Sequence, residues 1–115
     1  MRVLKLKTKY MHFKGSTYIT LCKSTPVSMD EFLKATMHLK LIKCIHTEHK
    51  GDIGIYQYKD GAYHHLESDC EDELVVYTSL DGNFNRYARP YDMFMSEVDK
   101  TKYPNITQKY RFKEQ

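Results

Sequence analysis

Apolar and polar residues alternate strictly over VLKLKTKY, residues 3–10, with Leu4, Leu6, Thr8 and Tyr10 on one side and Lys5, Lys7 and Lys9 on the other. Successive strand side chains point to opposite faces, so this period of two predicts a half-buried strand whose lysine-studded face protects a sheet edge. Gly15, Ser16 and Thr17 supply turn chemistry, and YITLCK, Tyr18 to Lys23, resumes a β-branched pattern. The two runs predict a hairpin. After Pro26 the period changes: Ser28 and Glu31 have capping-box spacing, and Phe32, Ala35, Thr36 and Leu39 recur at helical intervals. A short helix is predicted from about Met29 to His38.

β-branched residues return in LIKCIHT, Leu41 to Thr47, and predict a strand. GDIGIYQYKDGAYHHL predicts a second hairpin, because Asp60-Gly61 is the strongest short turn signal in the chain. ELVVYTSL, Glu73 to Leu80, is the most apolar strand, and Asp81-Gly82-Asn83 turns the chain into FNRYARP. Pro90 ends that strand because it has no amide donor for a ladder. PYDMFMSEV reads as a brief helical turn with Met93 and Phe94 inward, and KYPNITQKYRF as a closing edge strand. The sum is a single domain over residues 1–115, mostly β with one short helix, built as a small, partly open SH3-like β-barrel. A chain of 115 residues can bury one core without disulfides or metals.

Composition narrows the setting. Cys22, Cys44 and Cys70 cannot all pair with one another and show no C-x-x-C spacing, which fits a reducing compartment. No stretch has the length to span a bilayer and no apolar leader opens the chain, so a cytoplasmic protein without a membrane partner is expected. The net charge of +3 does not by itself argue for nucleic acid, but it is unevenly spread. Lys5, Lys7, Lys9 and Lys14 crowd one end, while Glu67, Asp69, Glu71, Asp72 and Glu73 form an acidic run read as a solvated loop. Ten tyrosines and no tryptophan supply many rings with a polar tip.

Four blocks carry a family resemblance: Tyr10-x-His12-Phe13-Lys14-Gly15-x-x-Tyr18, Leu74-Val75-Val76-Tyr77-x-x-Leu80, Arg89-Pro90-x-x-Met93-Phe94, and Lys102-Tyr103-Pro104 with Gln108-x-Tyr110-Arg111-Phe112. In that order they resemble domain of unknown function 1653. The resemblance implies a compact, mostly β module found in bacteria and their phages, with no agreed activity. Two departures stand out. The segment 25–72 is longer than the connection the resemblance implies, which makes it a candidate pocket wall or subunit interface. Asp81 and Tyr87 stand where the resemblance implies aromatic residues, tyrosine and tryptophan respectively.

The candidate site is a polar-aromatic set of His12, Lys14, Tyr77, Tyr87, Arg89 and Arg111. Arg offers a planar fork suited to phosphate or carboxylate, Lys a point charge, and Tyr a stacking face with an orienting hydroxyl. The plainer account makes Tyr10 and Tyr77 core rings, Lys14 a turn residue and Arg89 a loop anchor. Cys44, His46, Glu48, His49, His64, His65 and Cys70 are metal-ligand types, but their spacing matches no closed zinc pattern, so neither metal nor cofactor is expected. Cys22 and Cys44 fall in strand patterns, and no nucleophile elbow, phosphate loop or H-E-x-x-H motif is present, so no catalytic residue is assigned. The expected function is non-catalytic binding of a small anionic, nucleotide-like molecule, with a homo-oligomer building the pocket between chains. In a phage-borne gene this would sequester a host signalling nucleotide. The alternative is a nucleic-acid or protein interaction module working through Lys5, Lys7 and Lys9.

Overall fold

The computed structural model describes residues 2–35 and 38–115, with the backbone alone at 38 and 39. Eight strands and two short helices follow one another: β1 (Lys9–His12), β2 (Thr17–Val27), α1 (Met29–Lys34), β3 (His38–His46), β4 (Asp52–Tyr58), β5 (Tyr63–Leu66), β6 (Leu74–Ser79), β7 (Arg86–Pro90), α2 (Tyr91–Phe94) and β8 (Phe112–Glu114). The sheet order is β5-β4-β3-β7-β6-β2-β1-β8, and a further parallel pairing of β5 with β2 closes six strands into a ring. The mostly β barrel read from the sequence is present, and it is closed rather than partly open.

Closure depends on β2. It pairs with β1 over Thr17–Ile19, with β6 over Tyr18–Ser24, and with β5 over Ser24–Val27, so β1 and β5 share one of its edges in succession. A register shift between Thr20 and Cys22 marks a bulge, the kind of irregularity that bends a strand around a barrel. β6 is apolar along its whole first half because both of its faces are buried. Leu74 and Val76 join Cys22, Ile42, Cys44, Ile53, Ile55, Cys70 and Ala88 in one core, while Val75 and Tyr77 join Tyr10, Phe94 and Phe112 in a second. Phe94 and Phe112 stack at 4.1 Å, with Tyr10 edge-on to Phe94 at 5.4 Å.

Three sequence expectations are corrected. The strand predicted over residues 3–10 begins only at Lys9. Lys7 has φ 53, a left-handed value that breaks an extended run, and the buried Thr20 hydroxyl donates to Lys5 O at 2.7 Å while accepting from Thr8 N at 3.2 Å. Residues 5–8 therefore cross β2 irregularly. Leu6 is 46% exposed, and Lys5, Lys7 and Lys9 do not share a strand face.

The helix keeps its predicted start, with Ser28 Oγ accepting from Glu31 N at 3.1 Å, but Ala35 is already extended. The strand claims His38 by pairing it with Tyr58; Thr36 and Met37 lie outside the described residues. The edge strand expected over KYPNITQKYRF shrinks to Phe112–Glu114 plus a bridge of Tyr110 with Glu97, because Asp99 folds the preceding residues into a turn.

Candidate anion-binding site

The second core ends in a shelf of rings on which charged side chains rest. His12 closes β1 directly opposite Phe112 of β8, and its ring meets Phe112 at 4.9 Å and Phe13 at 4.5 Å. Lys14 N donates to His12 Nδ1 at 3.2 Å, so the proton of the neutral ring sits on Nε2. Burial first, then Arg89, Lys14 and Arg111, bring the His12 pKa down to about 4. At neutral pH His12 is therefore an uncharged donor among cations.

Arg89 comes from β7, where it pairs with Val75. Its Nε donates to Tyr77 Oη at 3.1 Å, and its guanidinium lies 5.4 Å from the Phe112 ring centroid. Burial raises the Tyr77 pKa despite the opposing effect of Arg89, so the hydroxyl stays protonated. Arg111 enters from the residue before β8, and its Nε is buried with no hydrogen-bond partner among the described residues. Lys14 Nζ sits 5.5 Å from the Tyr103 centroid and Lys102 Nζ 5.7 Å from the same ring, which is itself edge-on to Phe13 at 4.9 Å.

These groups line a concavity of about 310 Å³ formed by His12, Phe13, Lys14, Arg89, Asp99, Lys102, Tyr103 and Arg111. Asp99 is the one carboxylate among the lining residues. It is held below its usual range chiefly by hydrogen bonds from the Thr101 hydroxyl (2.5 Å) and amide (3.0 Å), with the Lys102 charge acting in the same sense, so it stays ionised, fastens the turn and offsets one of the four cations. Among the described residues the ion pairs are Lys5–Glu114 and Lys23–Glu73, and neither touches this wall.

Four of the six candidates, His12, Lys14, Arg89 and Arg111, thus converge. Tyr77 acts from beneath, through its bond to Arg89. Tyr87 faces a neighbouring concavity of about 340 Å³ that shares Arg89 and adds Tyr18 and Lys50. Tyr87 meets Tyr18 edge-on at 6.3 Å. Sequence reasoning missed Phe13, Asp99, Lys102 and Tyr103 as site residues, although Lys102-Tyr103 offered the same pairing of cation and ring as the first hairpin.

Other chemistry finds less support in the geometry. Burial pushes the Cys22 thiol up to about 12 and Cys44 to about 11, so both stay protonated. Ser24 Oγ and His65 Nδ1 lie 2.7 Å apart, but both residues are fully buried and His65 Nε2 is taken by Cys70 O at 3.1 Å, which makes the pair a packing device. Among the described residues no three His, Cys, Asp or Glu side chains come together to hold a metal ion.

A family model described as a protein of unknown function (DUF1653) matches residues 49–114. No curated protein and no solved structure matches the chain. The matched span supplies Arg89, Asp99, Lys102, Tyr103 and Arg111, whereas His12, Lys14 and the Tyr10–Tyr18 block lie outside it.

Proposed function

We propose, for a chain that belongs to the family described as protein of unknown function (DUF1653), the non-catalytic capture of a small anionic, nucleotide-like molecule. The observation that carries this reading is the convergence of Lys14, Arg89, Lys102 and Arg111 on one concavity in which Asp99 is the one carboxylate. Four cations facing one carboxylate leave an excess of positive charge; like charges repel one another, and an anion relieves that cost. The buried Arg111 Nε adds a donor that needs an acceptor, and the two guanidinium forks suit the oxygens of a phosphate.

Nucleotide character follows from the rings. Phe13 and Tyr103 flank the basic concavity, and Tyr18 and Tyr87 line the adjoining one across Arg89. A phosphate on the arginines thus has planar surface within reach for a base or another flat group. Capture without turnover suits a sequestering role, and in a phage-borne gene the natural target is a host signalling nucleotide.

Native mass spectrometry of the protein before and after incubation with a nucleotide panel tests this and reports oligomeric state at once. The reading expects at least one phosphorylated compound to be retained, with retention lost in Arg89→Gln. Binding that survives Arg89→Gln, falls steeply with salt and disappears when Lys5, Lys7 and Lys9 are changed would instead favour a nucleic-acid module.

A further inference from the structure

A third cleft, also of about 340 Å³, lies between the β3–β4 turn, the residues leading into β6 and the β7–α2 junction, and its charge is reversed. Glu48, Asp72, Glu73 and Asp92 line it. Lys23 pairs with Glu73 at 3.1 Å and lies 4.9 Å from the Tyr91 ring centroid, but among the described residues no cation pairs with Glu48, Asp72 or Asp92. Solvated carboxylates account for the acidity alone. They do not account for His46.

His46 is 2% exposed and lies between this cleft and the concavity of Tyr18, Tyr87 and Arg89, lining both, with its ring stacked on His49 at 4.1 Å and 11°. Its Nδ1 accepts from Glu48 N at 3.2 Å and His49 N at 3.1 Å, so the proton is on Nε2. That Nε2 is buried and has no partner among the described residues. Burial, with His49 acting in the same sense, keeps the ring neutral against the opposing pull of Glu48 and Asp72, all three of them cleft walls. An unpaired buried donor is costly and looks for an acceptor. A metal ion is the wrong occupant, because ligation at Nε2 needs a lone pair where the two amides, by occupying Nδ1, fix a proton.

We propose that this cleft binds an organic ammonium ion carrying a neutral oxygen acceptor beside its charge, the chemistry shared by amino alcohols and by the amino terminus of a peptide amide. An ammonium presents three donors to Glu48, Asp72 and Asp92, which Lys23 leaves without an ion pair, and His46 Nε2–H donates to the neighbouring oxygen.

NMR titration of the full chain with glycinamide, ethanolamine, ethylamine and magnesium chloride tests this. Glycinamide or ethanolamine should move the His46 ring signals and the Tyr91 and Asp92 amides. Ethylamine, which has the charge without the acceptor, should bind about tenfold more weakly, the worth of one hydrogen bond of roughly 1.4 kcal/mol. A preference for glycinamide assigns a peptide source, and one for ethanolamine a free amino alcohol. Asp92→Asn, at an exposed position, should weaken both. Equal binding of ethylamine, stronger binding of magnesium, or no response at His46 to any of the four overturns the proposal.

Discussion

His12 shows how one residue can carry both the fold and the site. Its ring packs on Phe112 as a strand residue should, while the same burial, with Arg89, Lys14 and Arg111 nearby, leaves it neutral. NMR of the imidazole should give a midpoint of about 4. The sign follows: the folded value lies below the ordinary 6.5, so the stability His12 contributes is present above pH 6.5 and is lost as pH falls toward 4. A bound anion offsets the three cations and raises the midpoint, so anion affinity should strengthen as pH drops through that window; calorimetry at several pH values would detect it. Arg89→Gln should cost about tenfold to a hundredfold in anion affinity, the range for losing one charge-assisted hydrogen bond, and should lower the thermal midpoint by a few degrees because the buried Tyr77 hydroxyl loses its donor. His12, Lys14, Arg89 and Arg111 were legible as candidates because a guanidinium fork, an ammonium and an imidazole are the groups an anionic ligand needs. Lys102 and Tyr103 were not, since only the fold of the Asp99 turn brings them across from Lys14.

At the scale of elements, legibility followed the strength of local signals. Asp60-Gly61 was read correctly as a hairpin turn: Gly61 has φ +91, Asp60 Oδ1 accepts from Ala62 N at 2.9 Å, and Gly61 N returns to Tyr58 O. An added Cβ at Gly61 meets nothing within 4 Å, so Gly61→Ala isolates the backbone cost and should destabilise by about 1–2 kcal/mol in urea unfolding. β1 was misread because strict alternation over residues 3–10 promised a strand that tertiary bonds override. Thr20, buried on β2, takes the polar groups of residues 5–8 for itself. The helix α1 was read at its capped start and overextended at its end, where pairing of His38 with Tyr58 begins the next strand. A capping signal is local; the competing ladder is not.

Across the whole molecule, ring closure joins residues far apart in sequence. The matched span 49–114 holds β4 to β8, while β2 and β3 lie outside it, yet β2 pairs with both β5 and β6, and β3 with both β4 and β7. A fragment of residues 49–114 should therefore fail to fold, seen as collapsed amide dispersion in NMR, because it leaves two gaps in a six-strand ring and opens the core around Ile55 and Leu74. The parallel β2–β5 closure was invisible in the sequence: no local signal marks which strands meet when a sheet curls. The same strand β2 also sets the site from its other half, since it carries β1 and thus His12 to β8 and Arg111. The most direct measurement of the central claim is an amide and side-chain NMR titration of the intact chain with pyrophosphate and ADP. The account predicts shifts confined to His12, Lys14, Arg89, Lys102, Tyr103 and Arg111, with ADP extending them to Tyr18 and Tyr87. Shifts centred on Lys5, Lys7 and Lys9, or none from either compound, would contradict it.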